Sequence, residues 1–139
     1  MTEAPTDGRT VGLIAVGGAI GTSARYAFSQ AAPTAIGTFP TTTLVINVVG
    51  AFILGLLLGA LGRHRPNDTT LRPLIGIGVL GGFTTFSTFS LETVQLARGD
   101  HLLVAAVYVG ASVGIGLLAA RVGERLVGAT PASIREGEA

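Results

Sequence analysis

The run Gly81-Gly82-Phe83-Thr84-Thr85-Phe86-Ser87-Thr88-Phe89-Ser90 joins paired glycines, hydroxyls and aromatic rings inside an otherwise apolar stretch. Hydroxyls can donate and accept hydrogen bonds, and glycine lets a backbone leave helical geometry. A non-helical turn at bilayer depth frees carbonyl oxygens and N–H groups, which is tolerable only where protein or a lined cavity satisfies them. Freed carbonyls hold cations and half-helix N-termini favour anions, so the chemistry offered here is ion binding and conduction. The competing reading is a continuous helix whose Ser and Thr side chains bond back to the preceding turn.

Other polar residues fall at helical spacing from one another. Thr43 and Asn47 stand four apart, and Asn47 brings two N–H donors and an acceptor that need partners. It serves either as glue between helices or as part of a path. Phe86 and Phe89, three apart, share a helical face, and the positive edges of their rings can meet a small anion that the faces would repel. Tyr108 and Ser112 form a polar line whose next position is Gly116. Arg25 can snorkel toward the interface. Three roles are open to Glu92: a proton site, a partner for Arg25, or a residue of a helix end near the headgroups.

The elements that must position these residues follow from hydropathy. The chain has 139 residues, 48% hydrophobic and 12% charged, which is too apolar for a water-exposed surface. Crossing a bilayer takes roughly 20 helical residues. Four stretches qualify: 11–32, 41–61, 71–97 and 101–127. The fold class expected is all-α and integral to the membrane, with a tail over 1–10, a third helix broken near mid-membrane, and a disordered tail over 128–139. Short connections at 33–40, 62–70 and 98–100 place neighbouring helices antiparallel. The start of the chain lacks the basic residues of a secretory signal, so the first apolar segment is expected to be retained. Small residues four apart, Gly17 and Gly21, Ala51, Gly55 and Gly59, and Gly110 and Gly114, predict close helix packing.

Composition also excludes functions. Net charge is +1 and the basic residues are all arginine, lying mostly beyond the apolar runs, so no basic face exists for nucleic acid. Cysteine is absent and both histidines, His64 and His101, fall in connections, which removes thiolate chemistry and makes a metalloenzyme improbable. No catalytic group is evident. Arg9, Arg63, Arg65, Arg72, Arg121 and Arg125 fall on one side, against Arg98, or Arg98 and Arg25, on the other, so the termini are expected in the cytoplasm and the protein in the plasma membrane.

At these residues the sequence resembles the Fluc (CrcB) fluoride channel family. The resemblance is carried by Gly21-x-x-x-Arg25-Tyr26, Thr43-x-x-x-Asn47 with Gly50, the run from Gly81 to Ser90 with Glu92, and Tyr108-x-x-x-Ser112. It implies a dual-topology antiparallel homodimer with passive fluoride export and a central structural sodium ion. By position it implies that Gly81 and Thr84 give carbonyls to sodium and that Phe86 and Phe89 contact fluoride. Asn47 would donate a hydrogen bond in the pore. Thr43, Thr85, Ser87, Thr88, Tyr108 and Ser112 would supply lining hydroxyls, with Arg25 and Glu92 in structural or gating roles. Gly116 stands where many relatives continue the track with a hydroxyl. The arginine asymmetry exceeds that of a chain inserting in both directions, which leaves a heterodimer with a paralogue open.

Fluoride holds its water tightly, so crossing requires replacement donors that hydroxyls, an amide and ring edges can supply. The alternative function is a proton-coupled transporter of small ions or molecules that titrates Glu92. A non-conducting structural subunit would explain the glycine stripes but not the hydroxyls around the break.

Overall fold

A computed structural model describes residues 7–35 and 37–128 of the chain. Its elements are all helical, and four segments are long and apolar enough to cross a membrane: Gly8–Ala31, Thr41–His64, Arg72–Arg98 and Leu102–Val127. The expected tails fall outside the described residues over 1–6 and 129–139.

Helix ends differ from the sequence expectation where capping decides them. The first helix begins at Gly8 and not Val11, because the extended Asp7 is its N-cap and accepts from the Arg9 N–H at 3.3 Å. The second runs past Leu61 to His64, with Arg63 and His64 in its last turn, at the negative end of the helix dipole. Asp68 starts the third: its Oδ1 accepts the N–H groups of Thr70, Leu71 and Arg72 at 2.9, 2.5 and 3.3 Å. Asp100, with φ of 60°, takes the left-handed conformation that Asp tolerates and turns the chain into the fourth helix, Leu102–Gly128.

The third span is not uniform. Arg72–Leu80 winds as a π-helix, Gly81–Phe83 is a short α-turn, and Phe86–Arg98 is α-helical. Between them Thr84 and Thr85 are extended, with ψ of 157° and 119°. Extended π-helix is rare and tends to accompany functional sites. Hydrophobic periodicity carries no sign of it here.

The first helix packs against the third span and the second against the fourth. Lipid supplies no hydrophobic drive for this pairing, so contact depends on how closely backbones approach. A Cβ added to Gly78 would lie 2.9 Å from Gly17 Cα, and one added to Gly82 would lie 2.6 Å from the Gly18 oxygen. On the other pair, a Cβ at Gly59 would lie 2.6 Å from the Glu124 oxygen, and Gly55 meets the backbone of Ala120. The stripe on the fourth helix behaves differently. Nothing within 4 Å would meet a Cβ at Gly110 or Gly114, so these glycines form no seam among the described residues. They lie on an exposed face with Val107, Val113, Leu117 and Leu118.

Candidate ion-conduction site

The site grows from the two extended threonines. β-branched side chains favour extended backbone, so the departure from helix falls on Thr84 and Thr85 and not on the glycines before them. Gly81 keeps helical dihedrals, and Gly82 is needed for contact with the first helix. Some of the backbone groups released by this departure are met by side chains from two other helices.

Asn47 of the second helix faces Thr85 with its whole amide. Its Nδ2 donates to the Thr85 oxygen at 3.0 Å, and its Oδ1 accepts the Thr85 N–H at 2.8 Å. From the first helix, Arg25 Nε donates to the Gly82 oxygen at 3.1 Å, with Thr22 Oγ1 at 3.5 Å from the same atom. Arg25 is thus a backbone anchor, and among the described residues it makes no ion pair with Glu92. The Thr85 side chain caps the next helix. Its Oγ1 accepts the Thr88 N–H at 3.2 Å and contacts the hydroxyls of Thr88 and Ser87 at 3.0 and 3.2 Å. The Thr84 hydroxyl donates back to the Leu80 oxygen at 2.8 Å, while its methyl packs on Gly50, where a Cβ would collide with it.

These bonds have a consequence for two carbonyls. In a regular helix the Gly81 oxygen would accept from the Thr85 N–H and the Thr84 oxygen from the Thr88 N–H. Asn47 takes the first donor and the Thr85 hydroxyl takes the second. Both oxygens therefore lose their usual helical partners.

Gly81, Thr84 and Thr85 border an open cleft of about 510 Å³ with Asn47, Phe86, Phe89 and Ser112. Gly116 also borders it, and nothing within 4 Å would meet a Cβ there, so its missing side chain leaves room. The Ser112 hydroxyl is buried and meets no hydrogen-bond partner among the described residues. Phe86 is 80% exposed, so this chain alone leaves its ring unenclosed. Its centroid is 5.8 Å from that of Phe89, which lies 5.2 Å from Tyr108, which in turn meets Phe39 edge-on at 5.5 Å.

Thr43 and Tyr108 gather elsewhere, around Glu92. Thr43 Oγ1 donates to Glu92 Oε1 at 2.8 Å and the Tyr108 hydroxyl donates to Oε2 at 2.7 Å. Glu92 borders a second cavity of about 380 Å³ with Thr34, Thr38, Gln95 and His101. Sequence reading missed Thr22 and Phe39. Thr22 was recoverable, since it lies three residues before Arg25 on the same helix face. Phe39 sits in a connection, and nothing local points it at Tyr108.

Residues 12–124, which take in most of all four spans, match the family model described as CrcB-like protein, Camphor Resistance (CrcB). The chain belongs to the CrcB family. Among its CrcB relatives, the protein named fluoride-specific ion channel FluC of Idiomarina loihiensis is 48% identical over 107 residues, 76% of this chain and 82% of the relative. The FluC of Alteromonas mediterranea is 47% identical over 108 residues, 77% of this chain and 85% of its own. That of Sphingopyxis alaskensis is 43% identical over 120 residues, 86% and 95%. With four spanning segments and such relatives, this CrcB chain is a multi-pass membrane protein.

Proposed function

We propose that the chain is a fluoride-selective channel, not an enzyme, and lets fluoride leave the cell passively across the plasma membrane. The observation that carries this reading is the clamp of Asn47 on the extended Thr85 beside an open cleft, in a chain whose relatives are named for fluoride conduction. The extended pair is read as a break of the third span at mid-membrane. Phe86–Arg98 then begins inside the membrane, and the N–H groups of its first turn favour an anion. Phe86 and Phe89 offer ring edges, and Asn47 keeps one N–H beyond the one donated to Thr85. The hydroxyls of Ser87, Thr88 and Ser112 continue the supply of donors beside Thr85, and Thr43 and Tyr108 stand at the far end with their hydrogens on Glu92.

A sodium ion fits the Gly81 and Thr84 carbonyls. Both are hard oxygen donors whose helical partners are diverted, and both border the cleft. Bound there, the ion would supply a fixed positive charge beside the anion path. Two carbonyls are a partial shell, which a second copy of the chain would complete. The open Gly110 and Gly114 face and the unenclosed Phe86 also support a dimer. We read it as an antiparallel homodimer. The arginine asymmetry favours one orientation per chain, and a paralogue as partner is the second reading.

The test is efflux from liposomes loaded with equal fluoride and chloride. Fast loss of fluoride with chloride retained supports the channel. Fluoride retained by vesicles holding folded protein overturns it.

A further inference from the structure

Glu92 lies between the aromatic row and the second cavity, and the channel reading leaves its role undefined. A hydroxyl has one hydrogen. Thr43 and Tyr108, which are 4% and 0% exposed, both point theirs at the Glu92 carboxylate, one to each oxygen. Any anion arriving along Phe89, whose ring lies 5.2 Å from that of Tyr108, would meet their lone pairs. These two hydroxyls thus already spend their hydrogens on a carboxyl group of the protein itself.

We propose that Glu92 is a tethered competitor of the permeating anion: while ionised it holds the Thr43 and Tyr108 hydrogens, and fluoride gains these donors only when the carboxylate is protonated or turned away. This role rests on the fluoride reading. The second cavity provides both routes of release, being space into which the side chain can turn and a path by which solvent protons reach it. Thr43 on the second helix is neutral, Tyr108 on the fourth is a phenol, and the other titratable group bordering the cavity is His101.

Fluoride efflux from liposomes at neutral and at mildly acidic pH, corrected with protein-free vesicles for leak of hydrogen fluoride, tests this. The wild type is expected to conduct faster in acid. In Glu92→Gln an amide N–H₂ replaces one acceptor oxygen, so one hydroxyl must turn its hydrogen elsewhere. That variant is expected to run roughly tenfold faster than wild type at neutral pH, the weight of one hydrogen bond to a charged group, and to show no pH slope. A Glu92→Gln that conducts no faster than wild type overturns the competition. A slope that persists in it also does so, and assigns the slope to His101. Should the variant fail to fold, wild-type flux that is independent of pH overturns it alone. Wild type that moves no fluoride at any pH overturns the channel reading and this role together.

Discussion

Asn47 and Thr85 exchange two hydrogen bonds, at 3.0 and 2.8 Å, although they belong to different spans. The amide thereby replaces the helical partners that the extended residue has lost, and one side chain holds the local geometry on which the candidate site is built. Asn47→Asp keeps the acceptor for the Thr85 N–H and removes the donor to its oxygen. Stranding that oxygen costs about 1–3 kcal/mol. Thermal unfolding in detergent should register the loss, and fluoride efflux should fall well below wild type. Wild-type stability and flux in the variant would contradict the clamp.

Arg25 should act through the Gly82 carbonyl and not through its charge alone. Arg25→Leu leaves that oxygen only the 3.5 Å contact with Thr22 and is expected to lower both stability and flux. Arg25→Lys, which retains a donor, should recover part of each. Equal loss in both variants would assign Arg25 a role that depends on the guanidinium fork.

The glycines should divide into two classes. Gly59→Val thrusts a side chain into the Glu124 backbone and should destabilise the chain by about 1–3 kcal/mol, the usual cost of overpacking. Gly110→Val and Gly114→Val meet open space and should leave the fold of one chain intact. If a second copy covers that face, they shift the assembly toward monomer on size-exclusion chromatography. An unchanged oligomer would remove this face from the interface.

Asp68 predicts a pH effect outside the membrane. Burial tends to raise its carboxyl pKa, but the N–H groups of Thr70, Leu71 and Arg72 and the charge of Arg65 outweigh this and hold it below the usual range. A lowered folded pKa means that the unfolded chain takes up the proton first on acidification. The contribution to stability is therefore full above the unfolded carboxyl pKa of about 3.9 and is lost as pH falls through the lower folded value. Asp68→Asn should melt earlier than wild type at neutral pH and approach it in acid. A constant difference across that range would contradict the assignment.

Hydropathy made the four spans legible, because roughly 20 apolar residues in a row have few other uses. Their ends shifted where a side chain cap decided them, as Asp7 and Asp68 do. The run from Gly81 to Ser90 stood out by composition, and the extended backbone within it falls on Thr84 and Thr85 and not on the paired glycines. Glycine there serves approach to the first helix, a tertiary demand that no local pattern records. The π-helix at Arg72–Leu80 likewise left no trace in periodicity. Asn47, Phe86, Phe89 and Ser112 do meet at one cleft, whereas Thr43 and Tyr108 meet at Glu92. Spacing along a helix tells which residues share a face but not which neighbour they find. The Gly110 and Gly114 stripe illustrates the same limit, since it matches the stripes that pack and yet packs on nothing among the described residues.

Passive fluoride conduction is tested most directly by the reversal potential of the purified protein in a planar bilayer, under a fluoride gradient with a pH gradient of either sign. The account predicts a potential set by fluoride alone and unmoved when the pH gradient is inverted, whatever protonation of Glu92 does to the size of the current. A potential that follows the proton gradient would contradict it and would favour a proton-coupled transporter.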